Sequence, residues 1–202
     1  VQVTAGPTPK WKQQASADAD LIYSGSEHMM SDFAKTFDGL FDINEVTPLY
    51  LRSSAILVRP GNPKNISGFK DLLSKDLKIL VVAGAGQTGL WEDIAGRAGN
   101  IEDVRALRKN LVLPEAANSG VAKQMWENNT SLDAWLIWGI WQVANPALAD
   151  AVEMEPEYRI WRDAGVLATT KGKAKPHAQA FIDFLLSNEG KAIFAEQGWK
   201  TQ

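Results

Sequence analysis

Four times along this chain a short apolar run gives way to a loop of small or hydroxylated residues and then to a helical stretch. The loops are Thr8, Ser24-Gly25-Ser26, Gly86-Gln87-Thr88-Gly89 and Asn118-Ser119-Gly120. Such alternation of strand and helix periodicity is the pattern of an α/β protein. Val1 to Val3 reads as a strand remnant. Thr8 followed by Pro9 predicts a helix capped by the threonine hydroxyl and running to about Ala17. Ala19 to Tyr23 is a short buried strand, with a helix from His28 or Met29. Leu49 to Val58 is a longer strand, closed by Arg59-Pro60-Gly61-Asn62-Pro63. A helix over Gly68 to Leu73 leads to Lys78-Ile79-Leu80-Val81-Val82, an apolar strand of the parallel-sheet kind. Beyond it the pattern predicts a helix over Leu90 to Ala98, a strand over Asn110 to Leu113 and a helix over Val121 to Glu127. Ala134 to Trp138 is another apolar strand, Val152 to Ala168 is extended, and Ala178 to Leu186 and Gly190 to Gln197 are closing helices. The order predicts two lobes joined by two crossings, residues 1–53 with 157–202 and residues 54–156. A cleft is expected between them, at the carboxyl ends of the strands.

The four loops also bear on chemistry. The first N–H groups of a helix have no intrahelical acceptor, and the helix dipole adds about half a positive charge there. Small residues let a ligand approach those groups, and hydroxyls add donors, so several such ends can hold an oxyanion without a basic protein. The net charge of −3, from 21 basic and 24 acidic residues, is therefore no objection to an anionic ligand. It does argue against nucleic acid, whose binders show a clustered basic excess. For any single loop the simpler reading is an ordinary helix cap.

Other chemistries have little to draw on. The absence of cysteine excludes thiolate metal sites and thiol nucleophiles. His28 and His177 are the only histidines, and no Ser/His/Asp set or carboxylate pair stands out, so an enzyme is not expected. No stretch approaches the roughly 18 apolar residues of a membrane span. Gly84 to Gly89 carries the G-x-G-x-x-G spacing after a strand. The acidic residues at the right distance, Glu102 and Asp103, sit in a charged helical stretch instead of at a strand end, which disfavours a dinucleotide. His28-Met29-Met30 is a poor soft-metal set, because consecutive helical positions point apart. Arg52, in the first crossing, can pair with a carboxylate or phosphate through its planar fork or form a surface salt bridge. Arg159 and Arg162 lie in the second crossing. Trp138 stands where a strand opens into a loop, so it lines the cleft or packs in the core. Asn65-Ile66-Ser67 and Asn128-Asn129-Thr130 match the glycosylation sequon.

The run Thr4-Ala5-Gly6-Pro7, then Ala19-Asp20-Leu21-Ile22-Tyr23-Ser24-Gly25-Ser26-Glu27-His28-Met29-Met30, resembles the accessory colonization factor C family of periplasmic binding proteins. Further matches are Ile56 to Pro63, Ala117-Asn118-Ser119-Gly120 and Trp135 to Trp138 continuing through Trp141 to Pro146. The closing run Ala180 to Ser187 with Glu189 to Phe194 is similar to the end of type II binding proteins, including molybdate and sulfate binders. The resemblance implies two mixed sheets flanked by helices, joined by two hinge crossings. It also implies a receptor for a sulfate-like oxyanion or a small phosphorylated or carboxylated acid, serving ABC-type uptake or sensing in the periplasm. Expected partners are a small anion and an ABC transporter membrane component, with no cofactor, metal or membrane insertion. The candidate anion-binding residues are Thr8, Ser24, Gly25, Ser26, Arg52, Gln87, Thr88, Asn118, Ser119 and Trp138; Gly139 replaces the asparagine expected after the tryptophan. Alternatives are a surface colonisation or adhesion factor and the effector-sensing domain of a transcription regulator. The chain opens on Val1, where relatives first carry a further strand and helix, so a fragment or processed form is expected.

Overall fold

The expected passage from strand through loop to helix is realised after Leu21–Ser24 and after Ile79–Leu80, whereas no strand precedes the helices that start at Thr8 and Ser119. A computed structural model describes residues 1–202, except for the side chain of Ala85. In order, the elements are α1 (Thr8–Asp18), β1 (Leu21–Ser24), α2 (Glu27–Thr36), β2 (Thr47–Val58), α3 (Phe69–Ser74) and β3 (Ile79–Leu80). Next come α4 (Leu90–Gly96), α5 (Ile101–Asn110), α6 (Ser119–Asn128), β4 (Ala134–Trp138) and α7 (Ile140–Ala144). The chain closes with β5 (Asp150–Val152), β6 (Trp161–Ala168), α8 (Pro176–Leu186) and α9 (Asn188–Glu196). It divides into two units, Val1–Leu51 with Arg162–Gln202 and Arg52–Trp161.

In the first unit β1 pairs antiparallel with β6, from Leu21 opposite Ala168 to Ser24 opposite Gly165. Side chains alternate across a strand, and neighbouring β6 residues serve two cores. Leu167 joins Ile22, Met30, Phe33 and Phe37, while Val166 joins Ile182 and Leu185. Met30, Phe33 and Phe37 recur at helical spacing, which turns one face of α2 inward. Trp11 of α1 covers that face, edge-on to Phe33 and stacked on Phe37 at 5.2 Å in each case.

In the second unit β4 is central, and all five of its residues are buried. It runs antiparallel to β2 and parallel to β3, while β5 pairs antiparallel with β2. A strand buried on both faces needs the continuous apolar run Ala134 to Trp138, rather than an alternating one. Trp126, Trp135 and Trp138 are fully buried around it.

Three expected elements differ. Val1 to Val3 forms no strand, since it has no ladder partner among the described residues, and Val1 and Val3 are exposed. The strand over Asn110 to Leu113 is reduced to a single bridge between Leu111 and Ile79. There α5 runs on to Asn110, whose amide donates to the carbonyls of Leu72 and Lys75, and Pro114 lacks the N–H to extend a ladder. Finally, the extended stretch over Val152 to Ala168 is interrupted between β5 and β6. The interruption carries Glu155 to the start of α3, where its carboxylate accepts the N–H groups of Phe69 (2.6 Å) and Lys70 (3.3 Å). Gly68 makes this contact possible, because a Cβ there would sit 2.7 Å from that carboxylate. Glu155→Ala strips α3 of its acceptor and is expected to cost about 1–2 kcal/mol, read as a lower midpoint in urea unfolding.

Candidate functional site

Two loops of the second unit are locked together before either reaches its helix. The Ala116 N–H donates to the Val81 carbonyl and the Ala83 N–H to the Ala116 carbonyl, both at 2.9 Å. At Gly84 the first loop passes so close to the second that a Cβ would lie 2.3 Å from the Ala117 carbonyl oxygen. Gly89 adopts φ +70° immediately before α4. Gly84 and Gly89 thus serve loop-on-loop contact and a left-handed turn, roles that need no nucleotide.

Across this junction Gln87 Nε2 donates to Ser119 Oγ at 2.9 Å. Gln87 is only 4% exposed, and its Oε1 is buried without a hydrogen-bond partner. The hydroxyl of Ser119 can donate as well as accept, so the amide can turn over and present an N–H at the same point. Asn118 caps α6, its Oδ1 accepting the Val121 N–H at 3.0 Å. Ser119, half-buried, and Gly120, exposed, form the first turn of this ten-residue helix and leave its positive end open to approach. Thr88 is exposed and its hydroxyl donates to the Ala83 carbonyl at 3.2 Å. Arg52 lies on the same face of β2 as Ser54, which is paired with Trp138. Its guanidinium carbon stands 4.7 Å from the Trp138 ring centroid, with Arg52 8% exposed and Trp138 fully buried. Gln87, Asn118 and Ser119 therefore gather at the start of α6, and Arg52 and Trp138 form a second contact pair within the unit.

The first-unit candidates sit differently. Ser24 is buried and donates to the Ser26 carbonyl at 3.1 Å, while Ser26 Oγ accepts the Met29 N–H at 3.2 Å. Both hydroxyls are thus engaged in turning the chain and capping α2, with the half-buried Gly25 between them. Thr8 is not the cap of α1. It is the first helical residue, preceded by Pro7, whose extended backbone occupies the flanking position and whose carbonyl accepts the Lys10 N–H at 2.9 Å. Pro9 falls in the first turn, where its missing N–H removes no helical bond. The helix start is closed by Trp11, whose indole N–H donates to the Gly6 carbonyl at 2.9 Å.

One group escapes sequence reasoning here. Glu27, the first residue of α2, shares a hydrogen bond with Asp163 of β6, and partial desolvation, then the Asp163 charge and that bond, raise its pKa above the usual 4.5. The hint in the sequence is the charged pair Arg162-Asp163 at the start of a strand that is apolar beyond it. Two acidic groups beside Ser24-Gly25-Ser26 make that loop a poorer anion holder at neutral pH than the start of α6.

The family of bacterial extracellular solute-binding proteins matches residues 1–200. The chain belongs to that family. This solute-binding protein is 35% identical to PEB3 of Campylobacter jejuni, with a TM-score of 0.90 to the structure described as bound to L-phospholactate; the alignment covers 98% of this chain and 86% of PEB3. It is 21% identical to the substrate-binding domain of a putative molybdenum ABC transporter from Clostridium difficile, at a TM-score of 0.70, over 100% of this chain and 86% of that one. For the sulfate-binding protein SubI from Mycobacterium tuberculosis the identity is 18% and the TM-score 0.73, over 93% and 71% of the two chains. No curated protein matches in sequence. The fold is the mixed α/β type II periplasmic binding-protein fold, and the family and these neighbours are binding proteins, not enzymes.

A raised carboxylic pKa favours the protonated form in the folded state, so its contribution to stability is present below the unfolded value and lost as pH rises through the folded one. Glu27→Gln is therefore expected to melt at a higher temperature than the native protein near neutral pH and at the same temperature near pH 4. Thermal melts from about pH 4 to about pH 8 check this.

Proposed function

We propose that this solute-binding protein binds a small anion, a sulfate-like oxyanion or a small phosphorylated or carboxylated acid, in the periplasm for ABC-type uptake or sensing. The observation that carries the reading is the Gln87–Ser119 pair at the start of α6: a buried amide with one polar atom unspent, beside a helix end that carries positive potential. An anion held there takes N–H groups of the first turn and the Nε2 group of the turned Gln87 amide, whose Oε1 is then held by the Ser119 hydroxyl. Arg52 and Thr88 are proposed as further donors, Asn118 as the cap that shapes the site and Trp138 as the aromatic support beneath Arg52. Thr8, Ser24, Gly25 and Ser26 complete the proposed set. A phosphorylated acid is the favoured class, because PEB3, 35% identical, is described with L-phospholactate bound.

Calorimetric titration of the full chain with L-phospholactate, phosphoglycerate, citrate, sulfate and molybdate tests this. A phosphorylated acid is expected to bind, and Gln87→Ala and Ser119→Ala each to weaken it by about ten- to a hundredfold, the equivalent of one charge-assisted hydrogen bond. No heat of binding with any of the five, from a protein that melts cooperatively, overturns the reading.

A further inference from the structure

At the opposite end of α6 the run Asn128-Asn129-Thr130-Ser131 holds two overlapping sequons, Asn128 with Thr130 and Asn129 with Ser131, and a third lies at Asn65. Their local structures differ. Asn65 has φ 49°, Ile66 is buried, and the Ser67 hydroxyl is bonded to Asp71 Oδ2 at 2.7 Å, away from the asparagine it would serve. Asn128 is the last residue of α6, with helical backbone. Asn129 has left the helix, at φ −123° and ψ 90°, and residues 128–131 are all exposed. Its Oδ1 accepts both the Ser131 hydroxyl at 2.7 Å and the Ser131 N–H at 3.1 Å. The backbone beneath is fixed, since Arg59 donates to the carbonyls of Asn129 (2.6 Å) and Leu132 (2.8 Å).

We propose that Asn129 is an N-glycosylation acceptor, presented on this exposed turn to an oligosaccharyltransferase carrying a polyprenyl-diphosphate-linked glycan. Two hydrogen bonds accepted by Oδ1 draw density from the amide and make an Nδ2 proton easier to remove. That proton passes to a basic group of the transferase. The Nδ2–C1 bond to the sugar forms as the C1–O bond breaks, and the electron pair leaves with the polyprenyl diphosphate. A ten-residue helix is about 15 Å long, so the glycan is carried away from the α6 start. The proposal does not depend on the anion reading and draws only on the extracellular setting of the family.

The intact folded chain is incubated with a purified transferase specific for Asn-x-Ser/Thr and its polyprenyl-diphosphate glycan, beside an acceptor peptide as control, and modified sites are mapped by peptide mass spectrometry. The glycan mass is expected on the peptide bearing Asn129. It is expected to vanish in Asn129→Gln and Ser131→Ala, and to persist in Ser131→Thr, Asn65→Gln and Asn128→Gln. Modification at Asn65 or Asn128 instead, persistence in Ser131→Ala, or an unmodified chain beside a glycosylated control peptide overturns the proposal.

Discussion

The candidate site depends on the joint between residues 81–84 and 116–117. Parallel pairing brings the two chain segments to the same end of β4, but pairing alone would leave each following loop free to wander. Two backbone hydrogen bonds through Ala116, and the absence of a side chain at Gly84 against the Ala117 carbonyl, fix their separation to within a van der Waals contact. Everything proposed for α6 follows from that fixed spacing. Gln87 reaches Ser119 because its loop is held against the loop that starts the helix, and it is buried at that junction. The joint is backbone to backbone, so its geometry is insensitive to most side-chain changes and sensitive to a Cβ at residue 84.

Features set by short-range pattern were legible in the sequence. The uninterrupted apolar run of β4, the existence of α2 and the loops that start α2, α4 and α6 each follow from residues within a few positions of one another. Features that depend on a distant partner were not. Glu155 serves α3 from 86 positions away, and nothing near either residue signals it. The extent of α5 is governed by Asn110 reaching the end of α3, and the pairing of Glu27 with Asp163 joins two elements far apart in the chain. Thr8 shows the converse, a local cap signal overridden because Pro7 already supplies the extended flank. In the candidate site the loops were legible as loops. The direct bond between two of them, which singles out Gln87 and Ser119, was not.

An acidic chain can favour an anion when its fixed positive potential is local and its negative charge is elsewhere. At α6 the first turn contains no carboxylate, and Asn118 uses a neutral amide oxygen as cap. At α2 the first residue is Glu27, paired with a second acid. Helix dipoles act only within about one turn, so the net charge of −3 matters less than these immediate neighbours. The same rule separates the two helix starts despite their similar caps.

A buried polar atom without a partner costs about 1–3 kcal/mol, and such atoms recur where function requires them. The atom alone does not mark a site, as Trp135 demonstrates. Its indole N–H is also buried without a partner, yet the ring is packed at 6.1 Å from Trp126 and 5.7 Å from Trp141, within the apolar centre of the unit. There, burial of a large aromatic surface offsets one unsatisfied donor. Gln87 has no comparable apolar area to gain, since a glutamine amide buries little hydrocarbon. What distinguishes it is position, beside an open helix start and bonded to a hydroxyl that lets the amide take either orientation. A ligand of the class proposed above would satisfy that amide.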